Sequence, residues 1–161
     1  MKKISLIVQN VYKNNKVFDL NDKWLNQDNR LDHVFLLREE LKKEGYDLAT
    51  QDINNPRDSF LQLHSEVPKY KVKEHNAFLM LMESPAVIKR NWDVKYHEQF
   101  KKIFTYNEDL ISENQDSQKY EKIRWPVKIS VPEFVPITDR RRDFLLVSAN
   151  KFSNYKSELY S

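Results

Sequence analysis

The stretch Ala77-Phe-Leu-Met-Leu-Met82 is the most apolar run of the chain, and it ends abruptly at Glu83-Ser84-Pro85. A short apolar run bounded by turn residues is typical of a strand that is buried on both faces, as in a parallel sheet. Residues 4–8 form a similar run, which ends at Gln9-Asn10. The two runs predict buried strands that lead into polar loops.

A helix and further strands surround these runs. Apolar residues recur at helical spacing from residue 34 to residue 41, with Asp32 as the expected N-cap and lysines in the last turn. Gly45 follows as the expected left-handed cap. Residues 46–52 and 103–106 predict strands, and residues 92–100 predict a short helix. This alternation predicts an α/β fold, a Rossmann-like three-layer domain with a mainly parallel sheet.

The remaining segments are predicted to be irregular or short. Residues 12–30 predict a loop with a helical turn at Trp24-Leu25, and residues 109–120 predict a polar connector. Residues 125–136 contain three prolines, which excludes a regular helix there. Residues 144–148 predict a last strand.

The composition excludes several kinds of site. The chain has 161 residues, 1 glycine, no cysteine and a formal net charge of +3. A single glycine excludes the glycine-rich loops that cradle phosphates, and the lack of cysteine excludes disulfide frameworks, zinc ribbons and thiol nucleophiles. No run reaches the roughly 18 apolar residues that span a bilayer. We expect one domain over residues 1–161, without a dedicated nucleic-acid partner, and a cytoplasmic protein with the alternative of a peripheral membrane attachment through parts outside this chain.

Candidate chemistry follows from the rule that parallel sheets bind ligands beyond the carboxyl ends of their strands. The rule points to Gln9-Asn10, Glu83-Ser84 and Asn150-Lys151. Glu83 is the strongest candidate, because partial burial at a strand end would suit a carboxylate to act as a general base. The alternative is a strand-end carboxylate that only accepts hydrogen bonds from backbone N–H groups.

Other chemistry-bearing residues have structural interpretations. Neither Ser84 nor Ser148 lies in the G-x-S-x-G elbow of a hydrolase. The cluster at residues 140–142 is flanked by aspartates, which is typical of a solvated turn rather than a phosphate or nucleic-acid patch. The tryptophans predict core packing or, alternatively, stacking on sugar rings. The histidines lack the spacing of a metal site, so no metal is expected. They are His33, His64, His75 and His97, and the tryptophans are Trp24, Trp92 and Trp125.

Several motifs from Arg38 onward are informative as an ordered set. They are Glu83-Ser84-Pro85-Ala86-Val87, His97 with Phe100, Ile103-Phe104-Thr105-Tyr106-Asn107, Val147-Ser148-Ala149-Asn150-Lys151 and Glu158-Leu159-Tyr160-Ser161. In this order and spacing they resemble the first half of the α-1,3-fucosyltransferases, glycosyltransferase family 10.

The resemblance implies the N-terminal, acceptor-side domain of a two-domain GT-B enzyme, whose C-terminal donor domain would lie outside this chain and bind GDP-fucose. It implies an inverting transfer of fucose to a glycan hydroxyl, with Glu83 as the general base. It also implies that Ser84, Asn150 and Lys151 contact substrate, although Ala149 stands where the family commonly has serine. The expected partners are the glycan acceptor and the enzyme's own donor domain, and the fragment alone is expected to be inactive.

Two other functions stay open. One is a stand-alone carbohydrate-binding α/β module without catalysis, in which Trp24, Trp92 or tyrosines form stacking platforms. The other is a nucleic-acid contact through residues 140–142, which would make the affinity depend steeply on salt.

Overall fold

The computed structural model describes residues 1–73, 76–114 and 118–124. Within these residues, six strands form one sheet in which every neighbouring pair is parallel. The α/β, Rossmann-like fold predicted from the sequence is therefore confirmed. The strands are β1 (Lys2–Ile7), β2 (Tyr46–Thr50), β3 (Leu61–His64), β4 (Ala77–Leu81), β5 (Lys102–Thr105) and β6 (Tyr120–Lys122), and the helices are α1 (Asp32–Lys43) and α2 (Glu108–Ser112).

The strand order, β2-β1-β3-β4-β5-β6, reverses direction at β1. On β1, Ile4 lies opposite Leu48 of β2 on one side and opposite Leu61 of β3 on the other. The connection from β2 to β3 must therefore cross β1. It is fastened by the buried Asn54, whose Nδ2 donates to the backbone oxygens of Ile4 at 3.1 Å and of Asp47 at 2.9 Å. The carboxyl ends of β1 and β3 consequently form the topological switch point of the sheet.

Two apolar cores lie on opposite faces of the sheet, because successive side chains of a strand point to opposite faces. On one face, Met80 of β4 and Ile4 of β1 pack with Val34 of α1. On the other face, Leu79 packs with Leu110 of α2 and with connecting segments. The sheet is thus covered on both faces, as a three-layer domain requires.

Helix α1 ends as the sequence predicts and begins differently. Gly45 has φ of +83°, and its N–H donates to the backbone oxygen of Lys42 at 3.1 Å, which confirms the left-handed cap. At the other end the N-cap is Leu31, and Asp32 is the first helical residue rather than the cap. The reason is that Asn26 accepts from the Leu31 N–H at 2.9 Å and so supplies the terminal hydrogen bond from outside the helix.

Several segments differ from the prediction. Strands β3 and β6 are not predicted from the sequence at all. The short helix predicted over residues 92–100 is a 3₁₀ helix, Val94–Gln99, which Asp93 caps by accepting from the Lys95 N–H and which follows another 3₁₀ helix, Lys89–Trp92. Helix α2 (Glu108–Ser112) overlaps the start of the connector predicted at residues 109–120, and Asn107 caps it by accepting from the Leu110 N–H. The 3₁₀ turns are Asn10–Tyr12, Lys16–Phe18, Gln27–Asn29, Pro56–Asp58, Lys89–Trp92 and Val94–Gln99.

The predictions for residues 125–136 and 144–148 lie outside the described residues. In the part of the chain that the structure describes, no helix combines the length and the apolar character needed to cross a bilayer.

Candidate functional site

A cavity of about 410 Å³ opens at the switch point of the sheet. Its lining includes the residues that follow β1, β3 and β4, with Leu6 and Met80 as an apolar floor. This volume lies within the range of small-molecule sites, about 300–1,000 Å³. The rule applied to the sequence pointed to this edge of the sheet, and Gln9 and Glu83 do line the same cavity.

The end of β1 is held in place by a side chain from the β2 end. Gln51 Oε1 accepts from the Val8 N–H at 3.0 Å, and Gln51 Nε2 donates to the Val8 oxygen at 2.7 Å. This pair of bonds extends the strand pairing by one residue and fixes Gln9 next to the cavity. Asn10, which the sequence also indicated, begins the 3₁₀ turn Asn10–Tyr12 and does not line the cavity.

Glu66 follows β3 and is the carboxylate that the sequence did not reveal. Its side chain is half-buried, and Gln9 Nε2 donates to its Oε1 at 2.6 Å. Burial raises the pKa of the Glu66 carboxyl, the hydrogen bond from Gln9 opposes this rise, and the negative charge of Glu83 adds to it. The two carboxylates are therefore close enough to interact electrostatically across the cavity.

Glu83 follows β4 and lies at the rim of the cavity. Its side chain is exposed, so the partial burial expected of Glu83 falls on Glu66 instead. Among the described residues no backbone N–H donates to the Glu83 carboxylate. The backbone oxygen of Glu83 accepts from Trp92 Nε1 at 2.9 Å. Trp92 thus holds the loop that presents this carboxylate.

Ser84 begins a turn rather than lining the cavity. Its backbone oxygen accepts from the N–H groups of Val87 and Ile88, each at 3.0 Å. Asn150 and Lys151, the other predicted substrate contacts, lie outside the described residues.

The opposite wall of the cavity supplies a cation and an imidazole. Arg30 donates from Nε to the Leu25 oxygen at 2.5 Å and from Nη2 to the Trp24 oxygen at 3.2 Å, which braces the loop before α1. His33 of α1 is half-buried, and burial lowers its pKa while the Asp32 carboxylate opposes the change. The cavity therefore combines two carboxylates with positive and neutral hydrogen-bond donors.

The tryptophans divide between the two interpretations made from the sequence. Trp24 is 64% exposed, so the core interpretation is wrong for it. Trp92 is half-buried and packs against the core beneath α2, as the core interpretation predicts. Trp125 lies outside the described residues.

The histidines also divide. His97 is buried, with Nε2 2.7 Å from the Asn91 backbone oxygen and Nδ1 2.8 Å from the Tyr120 hydroxyl. Because a backbone oxygen only accepts, Nε2 carries the proton and the Tyr120 hydroxyl donates to Nδ1. His64 is also buried, and its Nε2 lies 3.0 Å from Gln62 Oε1. His33 lines the cavity, and His75 lies outside the described residues.

In residues 1–73, 76–114 and 118–124, no group of three or more histidine, aspartate and glutamate side chains is placed to hold a metal ion. The cavity offers both hydrogen-bond acceptors and an apolar surface to a ligand. Its carboxylates can accept from hydroxyl groups, and its apolar floor can contact the carbon face of a ring. No family model, curated protein or solved structure matches this chain.

Proposed function

We propose that this chain is the acceptor-side domain of an inverting, fucosyltransferase-like glycosyltransferase. In this proposal the cavity at the switch point binds the glycan acceptor, an N-acetylglucosamine- or glucose-containing glycan. A C-terminal donor domain outside this chain holds GDP-fucose, and Asn150 and Lys151 contact the donor side. The protein works in the cytoplasm.

The observation that carries the proposal is the position of the Glu83 carboxylate. It lies at the rim of a ligand-sized cavity, at the carboxyl end of an interior strand, and without a backbone donor among the described residues. A general base must reach the proton that it removes, at about 3 Å, and must be free to accept it. The Glu83 carboxylate is exposed and lines the cavity, so it is accessible to a ligand bound there, which supports this role.

In the proposed step, one proton is transferred, one bond forms and one bond breaks. Glu83 takes the proton of the acceptor hydroxyl, the hydroxyl oxygen forms a bond to the anomeric carbon of fucose, and the bond from that carbon to GDP breaks. GDP leaves with the electron pair. The Glu66 carboxylate, which Gln9 holds in place, would accept a hydrogen bond from a second hydroxyl of the acceptor and so orient the sugar ring.

The test is Glu83→Gln in the full-length enzyme, assayed by GDP release from GDP-fucose with an oligosaccharide acceptor. The amide keeps the shape of the side chain and loses the base, so turnover is expected to fall by a factor of about 100 or more. The matched control is Glu44→Gln, an exposed glutamate just beyond α1, which should leave turnover unchanged. Turnover of Glu83→Gln near that of the unmodified enzyme would remove Glu83 from the catalytic role.

A second candidate function is a carbohydrate-binding module without catalysis, and the exposure of Trp24 favours it. An indole that is 64% exposed can stack on a sugar ring. The discriminating experiment titrates the 161-residue chain with acceptor oligosaccharides and compares Trp24→Ala. Tight binding that is lost in this variant supports the binding module, whereas weak binding in both proteins supports one half of a two-domain cleft.

A further inference from the structure

The segment between Glu66 and Lys73, which connects β3 to β4, is fastened at several points to the turns before β5. The Val67 N–H donates to Asn91 Oδ1 at 2.9 Å, and Arg90 Nε donates to the Pro68 oxygen at 3.0 Å. Further along, the Val72 N–H donates to Gln99 Oε1 at 2.8 Å. Val67 and Val72 are themselves buried in the core. The residues between these anchor points, Lys69-Tyr70-Lys71, are therefore presented by a braced scaffold.

The side chains of this loop tip point outward. Lys69 and Lys71 are exposed, and Tyr70 between them is 57% exposed. The exposed Lys95 lines a surface depression together with Lys69, Tyr70 and Lys71, and the preceding Val94 is 49% exposed. Cations are thus interleaved with exposed apolar side chains. We name this surface the basic tip and define it as Lys69, Tyr70, Lys71, Val94 and Lys95.

The charge around the basic tip is strongly positive, although the chain as a whole carries only +3. Two neighbouring surface depressions of about 570 and 470 Å³ share the lysine-rich lining. Among the described residues, Glu98 is the acidic residue of that lining. Lys95 also pairs with Asp93 at 2.6 Å. The cations of the lining are Lys69, Lys71, Lys73, Arg90, Lys95 and Lys101.

We propose that the basic tip docks this protein on an anionic lipid surface. Lysines near such a surface are attracted by its negative potential, and aromatic rings settle at the level of the headgroups. The exposed Tyr70 and Val94 add apolar side chains to the charge, and such side chains can enter the headgroup layer of a bilayer.

Docking through the basic tip would place the cavity close to the lipid surface. Lys69 is three residues from Glu66, and three residues of chain span at most about 11 Å. The lysines are therefore near one wall of the cavity. This inference stands independently of the proposed transferase activity, since it rests on the loop and not on Glu83.

The test is co-sedimentation of the 161-residue chain with vesicles of phosphatidylcholine alone and of phosphatidylcholine mixed with phosphatidylglycerol. Binding is expected only to the mixed vesicles and should weaken as salt is raised. Lys69→Gln/Lys71→Gln should weaken it about 30-fold, since a membrane-proximal lysine contributes about 1 kcal/mol and 1.36 kcal/mol is tenfold. The matched control is Lys42→Gln/Lys43→Gln on α1, which removes the same charge from another exposed site.

Tyr70→Ala separates the apolar contribution from the charge. It should weaken vesicle binding and leave the dependence on salt unchanged, because the number of cations is the same. Equal binding to both kinds of vesicle, or equal losses in the two lysine double variants, would overturn the proposal. So would release of the protein from mixed vesicles by inorganic phosphate or by a DNA duplex at concentrations below that of the lipid, since the surface would then bind a soluble anion or a nucleic acid.

Discussion

At the scale of single residues, the interaction that sets the chemistry of the cavity is the one between Gln9 and Glu66. Their side chains are joined at 2.6 Å, and the amide donates toward the carboxylate. A donated hydrogen bond favours the charged form of a carboxyl group, whereas burial and the neighbouring Glu83 favour the neutral form. Gln9 therefore partly offsets the larger effect of burial, which raises the pKa of the Glu66 carboxyl.

Replacing Gln9 by alanine is expected to raise the pKa of the Glu66 carboxyl further, because the opposing hydrogen bond is lost. The measurement is an NMR titration of the glutamate side-chain carbons. Gln27→Ala, an exposed glutamine in the turn Gln27–Asn29, is the control and should leave the titration unchanged. A Glu66 titration that is the same with and without Gln9 would contradict the assigned pairing.

The buried His97 predicts how stability responds to acid. Burial lowers its pKa in the folded chain, while in the unfolded chain it titrates near 6.5. Above this pH the His97 imidazole is neutral in both the folded and the unfolded chain. As the pH falls through 6.5, the unfolded chain binds a proton that the folded chain does not, so the free energy of unfolding decreases, by at most about 1.36 kcal/mol per pH unit.

Urea unfolding from about pH 7.5 to about pH 5.5 tests this dependence, with His97→Gln as the variant. The free energy of unfolding should fall less steeply with decreasing pH in the His97→Gln variant. His33→Gln should reduce this pH dependence further, because burial also lowers the pKa of His33. Glu66, whose pKa is raised, gives a slope of opposite sign from about 4.5 upward. An unchanged slope in His97→Gln would show that another group carries the effect.

At the scale of elements, helix α1 depends on how its end is capped. Gly45 has φ of +83°, and a methyl group added to it would meet nothing within 4 Å. The cost of Gly45→Ala therefore comes from the left-handed backbone and not from a clash, and we expect a loss of about 1–2 kcal/mol in the free energy of unfolding. Urea unfolding measures it, and Glu44→Ala beside it serves as the control. A neutral effect would mean that the backbone relaxes out of this conformation.

The elements also show what can be predicted from the sequence. Strand β4 is recognisable because it is apolar throughout. Helix α1 is recognisable because lysines in its last turn and Gly45 after it both mark where the helix ends. Strand β3 is hidden because its inward-facing Gln62 and His64 are polar. Burial is compatible with them because they pair with each other at 3.0 Å, and Gln62 Nε2 also donates to the Pro56 oxygen at 3.2 Å. Glu66 is missed for the same reason, since nothing marks it as the end of a strand. The sequence therefore indicates the edge of the sheet at which the cavity lies and two residues of its lining, Gln9 and Glu83, but not Glu66.

At the scale of the whole molecule, stability should depend on two cores rather than one. Leu79 is 0% exposed in the core beneath α2, whereas Leu36 on α1 is 55% exposed. Leu79→Ala is expected to cost about 3 kcal/mol and Leu36→Ala less than about 0.5 kcal/mol, measured by urea unfolding. Similar losses at the two positions would contradict the assignment of Leu79 to a close-packed core.

The position of β1 has a practical consequence for studying the protein on a solid support. Met1 is 73% exposed and lies where β1 begins, whereas the cavity opens where β1 ends. A strand of 6 residues is about 20 Å long, so Met1 and the cavity opening lie at opposite ends of β1. Because the chain contains no cysteine, a single thiol added ahead of Met1 would be its only reactive thiol. Immobilisation through that thiol would orient every molecule alike, with the cavity turned toward the solution.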